Sequence, residues 1–146
     1  MKRPVSSVNK DGKTADLNII FDRMPDVDDR NTLISNFVHW QPLYDLYVVD
    51  DEVVITLEIA GVPVKDFSIF VNKEHMVIDG IRKSPVMLTR NCCTFHNIEI
   101  PYGRFNIRID FPVPVEPRKY HYAINNGILT IKFGVVKERI IPIEDG

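Results

Sequence analysis

Tyr120-His121-Tyr122-Ala123-Ile124-Asn125-Asn126-Gly127-Ile128-Leu129-Thr130-Ile131-Lys132-Phe133 is the stretch that decides how this chain folds. Apolar and polar residues alternate on both sides of an Asn-Gly step, with the period of two at which a strand turns successive side chains to opposite faces. Asn-Gly between such runs is the strongest short-range hairpin signal, because both residues tolerate the positive φ of a tight turn. The stretch predicts two antiparallel strands, each with one face to bury. A lone hairpin is marginal in water, so further strands must cover it.

They lie upstream. Asp45 to Val49 ends in a turn at Asp50-Asp51, and Val53-Val54-Ile55-Thr56-Leu57-Glu58-Ile59 is the strongest strand of the chain, closed by Ala60-Gly61-Val62-Pro63. Phe67 to Val71 and Met76 to Ile81 flank a turn at Asn72-Lys73-Glu74. Arg104 to Phe111 alternates until Pro112 and Pro114 stop it, and a weaker strand pattern runs from Thr94 to Ile98. About seven short strands, frequent turn residues and almost no helix predict an all-β fold, a β-sandwich of immunoglobulin-like type.

The expected organisation is a partly helical or disordered N-terminal arm over 1–42, a sandwich domain over 43–134 and a tail over 135–146. In the arm, Lys2 to Lys13 is polar, and Ile19-Ile20-Phe21 is a short apolar patch cut off by Pro25. Asp28 or Asp29 can cap a helix that puts Leu33, Ile34, Phe37 and Val38 on one face. The tail carries Ile141-Pro142-Ile143 before an acidic Glu144-Asp145. Proline holds this tripeptide extended, so it reads as a short strand with two knobs that need a groove.

Composition limits the function. The 146 residues suit one domain with modest appendages, and 45% hydrophobic with 26% charged residues is ordinary for a water-soluble domain. A net charge of −2 and a pI near 6.1 give no reason to expect a nucleic-acid partner. Apolar runs fall far short of a membrane span, and Met1-Lys2-Arg3-Pro4 has no apolar segment behind it, so a cytoplasmic location is expected. Adjacent Cys92 and Cys93 are poor partners for each other and read as reduced thiols, the sharper alternative being a redox-sensitive link between chains. With His96 they lack the second spaced pair of a zinc site, and Asp26-Val27-Asp28-Asp29 lacks the glycine and closing glutamate of a calcium loop. His39, His75, His96 and His121 fall in separate segments, and no phosphate loop, dinucleotide fingerprint or nucleophile elbow occurs. The expectation is a protein with no catalytic residues, metal or cofactor, and not an enzyme.

The order of pieces resembles the small heat-shock proteins, the Hsp20/α-crystallin family. The resemblance rests on Asp45-Leu46-Tyr47-Val48-Val49-Asp50-Asp51-Glu52-Val53-Val54-Ile55, then Ile59-Ala60-Gly61-Val62 with Lys65-Asp66-Phe67. Tyr102-Gly103-Arg104-Phe105, Asn126-Gly127-Ile128-Leu129-Thr130-Ile131 and the closing Ile141-Pro142-Ile143 complete it, over about residues 43 to 143. This chain has Ala60 where the family usually has proline, and Ile107 where many members have arginine. It also has Tyr122 in place of the usual alanine, which would narrow a tail-binding groove.

The resemblance implies an ATP-independent holdase that binds exposed hydrophobic segments of non-native client proteins and assembles as a homo-oligomer built from dimers. It also implies a strand, from about Cys93 to Ile98, exchanged between partners, so that Thr94, Phe95, His96, Ile98, Tyr102, Arg104 and Phe105 would form the dimer strand and loop. The edge strands around Phe67–Val71 and Tyr120–Ile124 would frame the tail groove, lined by Ile69, Val71 and Tyr122. Ile19, Ile20, Phe21, Leu33, Phe37 and Trp40 would be the arm's contacts with clients or with other subunits. The alternatives are a structural assembly or coat protein built from the same domain, and a p23-like co-chaperone, usually monomeric and docked on a larger chaperone.

Overall fold

Glu52–Glu58 (β3) lies at the centre of one sheet, and Val53, Ile55 and Leu57 on its inward face have no exposed surface. The computed structural model describes residues 17–25, 40–85 and 94–137. Within them the strands are Ile19–Phe21 (β1), Tyr44–Val49 (β2), β3, Phe67–Val71 (β4), His75–Arg82 (β5), Gly103–Asp110 (β6), Val115–Asn125 (β7) and Ile128–Val135 (β8). One turn of 3₁₀ helix, Val64–Asp66, leads into β4. One sheet has the order β1-β4-β5-β6 and the other β2-β3-β8-β7.

The two sheets meet through alternate residues, as stacked sheets must. Phe67, Ile69, Val71, Met76, Ile78, Phe105, Ile107 and Ile109 face Val53, Ile55, Leu57, Leu129, Ile131 and Phe133 in one continuous core. The hairpin that opened the sequence forms as expected: β7 pairs antiparallel with β8, and Asn126 and Gly127 sit at φ 51° and 81°. Gly127 also lies against Ala60, whose Cα would be 2.8 Å from an added Cβ, and its carbonyl accepts from the Ile59 amide at 2.8 Å. Glycine is needed there for both conformation and space. At the β4–β5 turn the Asn72 side chain accepts from the Glu74 and His75 amides, each at 2.9 Å, a turn that asparagine makes with its own backbone.

Two sequence expectations need correction. Ile19, Ile20 and Phe21, read as arm contacts for clients, are the half-buried strand β1, paired parallel with β4 in the register Ile19↔Ile69, Ile20↔Phe70 and Phe21↔Val71. Trp40, read the same way, is 8% exposed and belongs to the core. Thr94 to Ile98, expected to pair only with a partner's sandwich, forms no strand among the described residues of a single chain, and Thr94, Phe95, His96 and Ile98 are all exposed. The helix expected around Leu33 and Phe37, together with Cys92, Cys93 and Ile141-Pro142-Ile143, lies outside the described residues.

Candidate functional site: two sheet edges

The first site is the slot between the edge of β4 and the edge of β7. Ile69 and Val71 are fully buried there, and Tyr122 on β7 is 9% exposed. The structure places all three expected lining residues in one buried core cluster. It also fills the slot they line. Leu17 is 7% exposed, and Ile19 and Phe21 pack on the same core, so alternate residues of the segment point inward.

Backbone and side-chain bonds hold the segment at both ends. The Ile69 amide donates to the Asn18 carbonyl, and the Asp22 amide to the Val71 carbonyl, both at 2.9 Å. The Leu17 amide donates to the Tyr122 hydroxyl at 3.3 Å, and the Asn18 side-chain amide to Ser68 Oγ at 2.7 Å. Phe21 tilts against Tyr120 with ring centroids 5.9 Å apart, and the Arg118 guanidinium stands 4.6 Å from the Phe21 centroid. The Tyr122 hydroxyl provides an anchor for the segment inside. Sequence reasoning missed Arg118, which has no motif around it.

The second site is the outer edge of β2. Leu43, Tyr44, Tyr47, Val48 and Val49 are between 43% and 75% exposed, and only Leu46 of this strand packs on the core. The Glu58 amide donates to the Leu43 carbonyl at 2.9 Å, and the β2–β3 register sets Tyr44 against Leu57. In an antiparallel pair, bonded positions alternate. Tyr44, Leu46 and Val48 therefore turn their backbone N–H and C=O outward, away from β3. Natural edges are usually guarded by charges, proline or a bulge. The other edge of this sheet has all three: β7 carries Pro117, Arg118 and Lys119, with a register irregularity between Glu116 and Tyr120. β2 carries one charge, Asp45.

The segment 94–100 exposes Phe95, Ile98 and Ile100 by 58–68%. Tyr102 is half-buried and Arg104 exposed, so both remain available to a neighbour. Phe105, expected at the dimer boundary, is 1% exposed and meets Trp40 edge-on at 5.2 Å, inside its own subunit. Alternation along β6 decides this: Phe105, Ile107 and Ile109 point inward, while Arg104, Asn106 and Arg108 point out.

Arg82 ties these parts together, another residue the sequence did not single out. Its guanidinium covers the Trp40 ring at 3.7 Å, donates through Nε to the Pro101 carbonyl at 2.9 Å and through Nη1 to the Ala60 carbonyl at 3.2 Å, and bonds Pro101 again through Nη2. Trp40 Nε1 donates to the Gly103 carbonyl at 2.9 Å. The chain is thereby pinned just before β2 and just after the exposed 94–100 segment. Among the described residues no cluster of metal-ligating side chains occurs, and no helix is long and apolar enough to cross a membrane.

Residues 45–144 match the model of the Hsp20/alpha crystallin family. Among solved structures, the chain is similar to heat shock protein 16.0 from Schizosaccharomyces pombe, with 20% identity and a TM-score of 0.61 over 72% of this chain and 99% of that one. It is similar to a small heat-shock protein from Xylella fastidiosa, with 22% identity and a TM-score of 0.59 over 71% and 96% of the two chains. For hspA from Xanthomonas axonopodis the values are 25% identity and 0.58, over 66% and 94%.

Proposed function

The chain belongs to the Hsp20/alpha-crystallin family, a family of chaperones, and from that premise we propose that it is an ATP-independent, non-enzymatic holdase of the cytoplasm. It captures the exposed hydrophobic segments of unfolding proteins and so prevents their aggregation. Dimers form when residues 94–98 of each subunit add a strand to the partner's β2. The tails then join dimers into a larger, exchanging assembly. The observation that carries this reading is the unguarded β2 edge, lying on a subunit that also exposes Phe95, Ile98 and Ile100. Each supplies what the other lacks: outward backbone donors and acceptors on β2, and an apolar segment with no ladder among the described residues.

The client surface follows from the same features. Hydrophobic contact has no directional requirement, which suits partners of no fixed shape. Burying the Ile141 and Ile143 side chains gives about 3–6 kcal/mol before ordering costs, so a single tail holds weakly. Many weak contacts acting together make an assembly that is stable yet opens.

Light scattering of a heat-denaturing enzyme, with and without this protein, tests the activity. Suppression at stoichiometric amounts is expected; its absence would leave a scaffold or coat role for the same architecture. Substituting both Ile141→Ser and Ile143→Ser should reduce the assembly to dimers on native mass measurement with the sandwich intact. An unchanged mass would remove the tail from assembly.

A further inference from the structure

We propose that β1 is an intramolecular ligand that keeps the β4/β7 slot occupied, and that the Ile141-Pro142-Ile143 tail of a second copy must displace it to bind. The inference rests on the tails joining dimers, as proposed above, and on their entering the groove that the sequence leads one to expect, but its evidence is the seat of β1. Three alternate apolar residues, Leu17, Ile19 and Phe21, fill a slot whose walls are Ile69, Val71 and Tyr122. The tail offers the same spacing of inward apolar positions, Ile141 and Ile143, with nothing bulky required between them. Two segments with one pattern cannot occupy one slot together, because the edge of β4 has a single row of backbone groups to share.

The pairing is built to be given up. β1 spans Ile19–Phe21 only; the Leu17–Tyr122 bond before it is buried, but the Asn18–Ser68 bond beside it is at the surface and Arg118 is solvent-accessible. A strand this short, followed at once by exposed Asp22 and Arg23, belongs to the low end of local stability, where opening precedes that of the core. Removing it uncovers Ile69, Val71 and Tyr122 without disturbing β4–β5 or β7–β8.

The two occupants cannot bind in the same direction. The bonds from Ile69 to Asn18 and from Asp22 to Val71 bracket Ile20, so ladder regularity turns the Ile20 N–H and C=O towards β4. A tail running the same way with both isoleucines inward would put Pro142 there, and proline has no N–H to give. Running antiparallel to β4, the same tail turns Pro142 away and directs the isoleucine backbones to the edge. β1 therefore holds the slot in parallel, and the tail enters antiparallel.

The test uses full-length protein carrying Ile141→Ser and Ile143→Ser, so that the only functional tail is a fluorescein-labelled peptide of residues 137–146. Fluorescence anisotropy should report weak binding with β1 intact and binding at least tenfold tighter when Ile19→Ser and Phe21→Ser are added. Equal or weaker binding in the second protein would overturn the proposal. Amide hydrogen exchange on the first protein, saturated with peptide, provides the check that needs no change in β1. The Asp22 amide should lose protection as β1 leaves, while the Ile69 amide stays protected by its new neighbour. Retained protection of Asp22 with peptide bound would place the peptide elsewhere and refute the competition. Neither readout depends on client protection, so a failed aggregation assay and a failed displacement remain separate results.

Discussion

The edges of β4 and β2 belong to different sheets of one sandwich and have been treated in opposite ways. At β4 the chain covers its own edge, using β1 and the inward side chains of Leu17, Ile19 and Phe21. At β2 it leaves backbone groups and a row of apolar side chains in water. An edge covered from within the same chain can be uncovered and recovered, because the covering strand stays tethered and returns quickly. An edge left bare with apolar side chains is costly until another chain covers it. The difference separates a permanent contact from an exchangeable one: β2 suits a partner that stays, and β4 suits a ligand that comes and goes.

Both edges depend on one rigid body, and disrupting that body should give the largest effect. Phe105 lies in the sheet of β4, yet it packs on Trp40, which leads into β2 and is held by Arg82. The tip of its ring leaves room only for a glycine at position 80, where an added Cβ would sit 2.6 Å from Phe105. Phe105→Ala should therefore cost about 3–5 kcal/mol of stability, as expected for an emptied aromatic site in a closed core. Urea unfolding followed by circular dichroism measures it. A loss below about 1 kcal/mol would show that the site collapses freely and that the two edges are less firmly coupled than the packing implies.

The strands of this body were legible because alternation is local. β3, β4, β5, β6 and β8 fall where the apolar period and the turn residues put them, within a residue or two. β7 begins at Val115, five residues before its alternation becomes visible at Tyr120, because Pro117 and the irregularity after Glu116 break the pattern without ending the pairing. β1 was not legible as a strand. Its three residues show no period, and the partner that makes them a strand lies some fifty residues away on β4. The slot's lining residues could be read from the sequence, but its occupant could not, since occupancy is decided by tertiary contact. Thr94 to Ile98 is the converse case, a strand pattern with no strand in one chain, and Arg82 gave no signal because its role depends on carbonyls from two distant loops.

A smaller effect separates the edges themselves. Val48 turns its N–H outward, so Val48→Pro leaves the bonds to β3 in place and removes a donor from the open side. In a dimer whose strand pairs with β2, the partner's carbonyl would be left buried without a donor, at about 1–3 kcal/mol, or roughly 5- to 150-fold in the dimer dissociation constant. Native mass measurement over a dilution series should show monomers where the parent protein is dimeric. Unchanged dimers would mean that the partner docks at another edge, and the contrast between β2 and β4 would lose its functional meaning.

The smallest expected effect is also the most specific to the covered edge. Arg118 is exposed on β7, and its guanidinium stands over the Phe21 ring without an ion pair to that ring's strand. A cation over an aromatic face at an exposed site contributes about 0.5–1 kcal/mol, so Arg118→Ala should shift the balance between closed and open slot about 2- to 5-fold. Phe21 is the part of β1 that reaches furthest towards β7, so weakening this contact loosens the strand at its end without touching Ile69, Val71 or Tyr122. Amide exchange at Asp22 should accelerate by that same small factor, while amides in the β3–β8 ladder, on the far sheet, keep their rates. An unchanged rate at Asp22 would show that β1 is held by its apolar side chains and backbone bonds alone. An equal acceleration in both places would show global loosening, and β1 would then be part of the core and no separable cover.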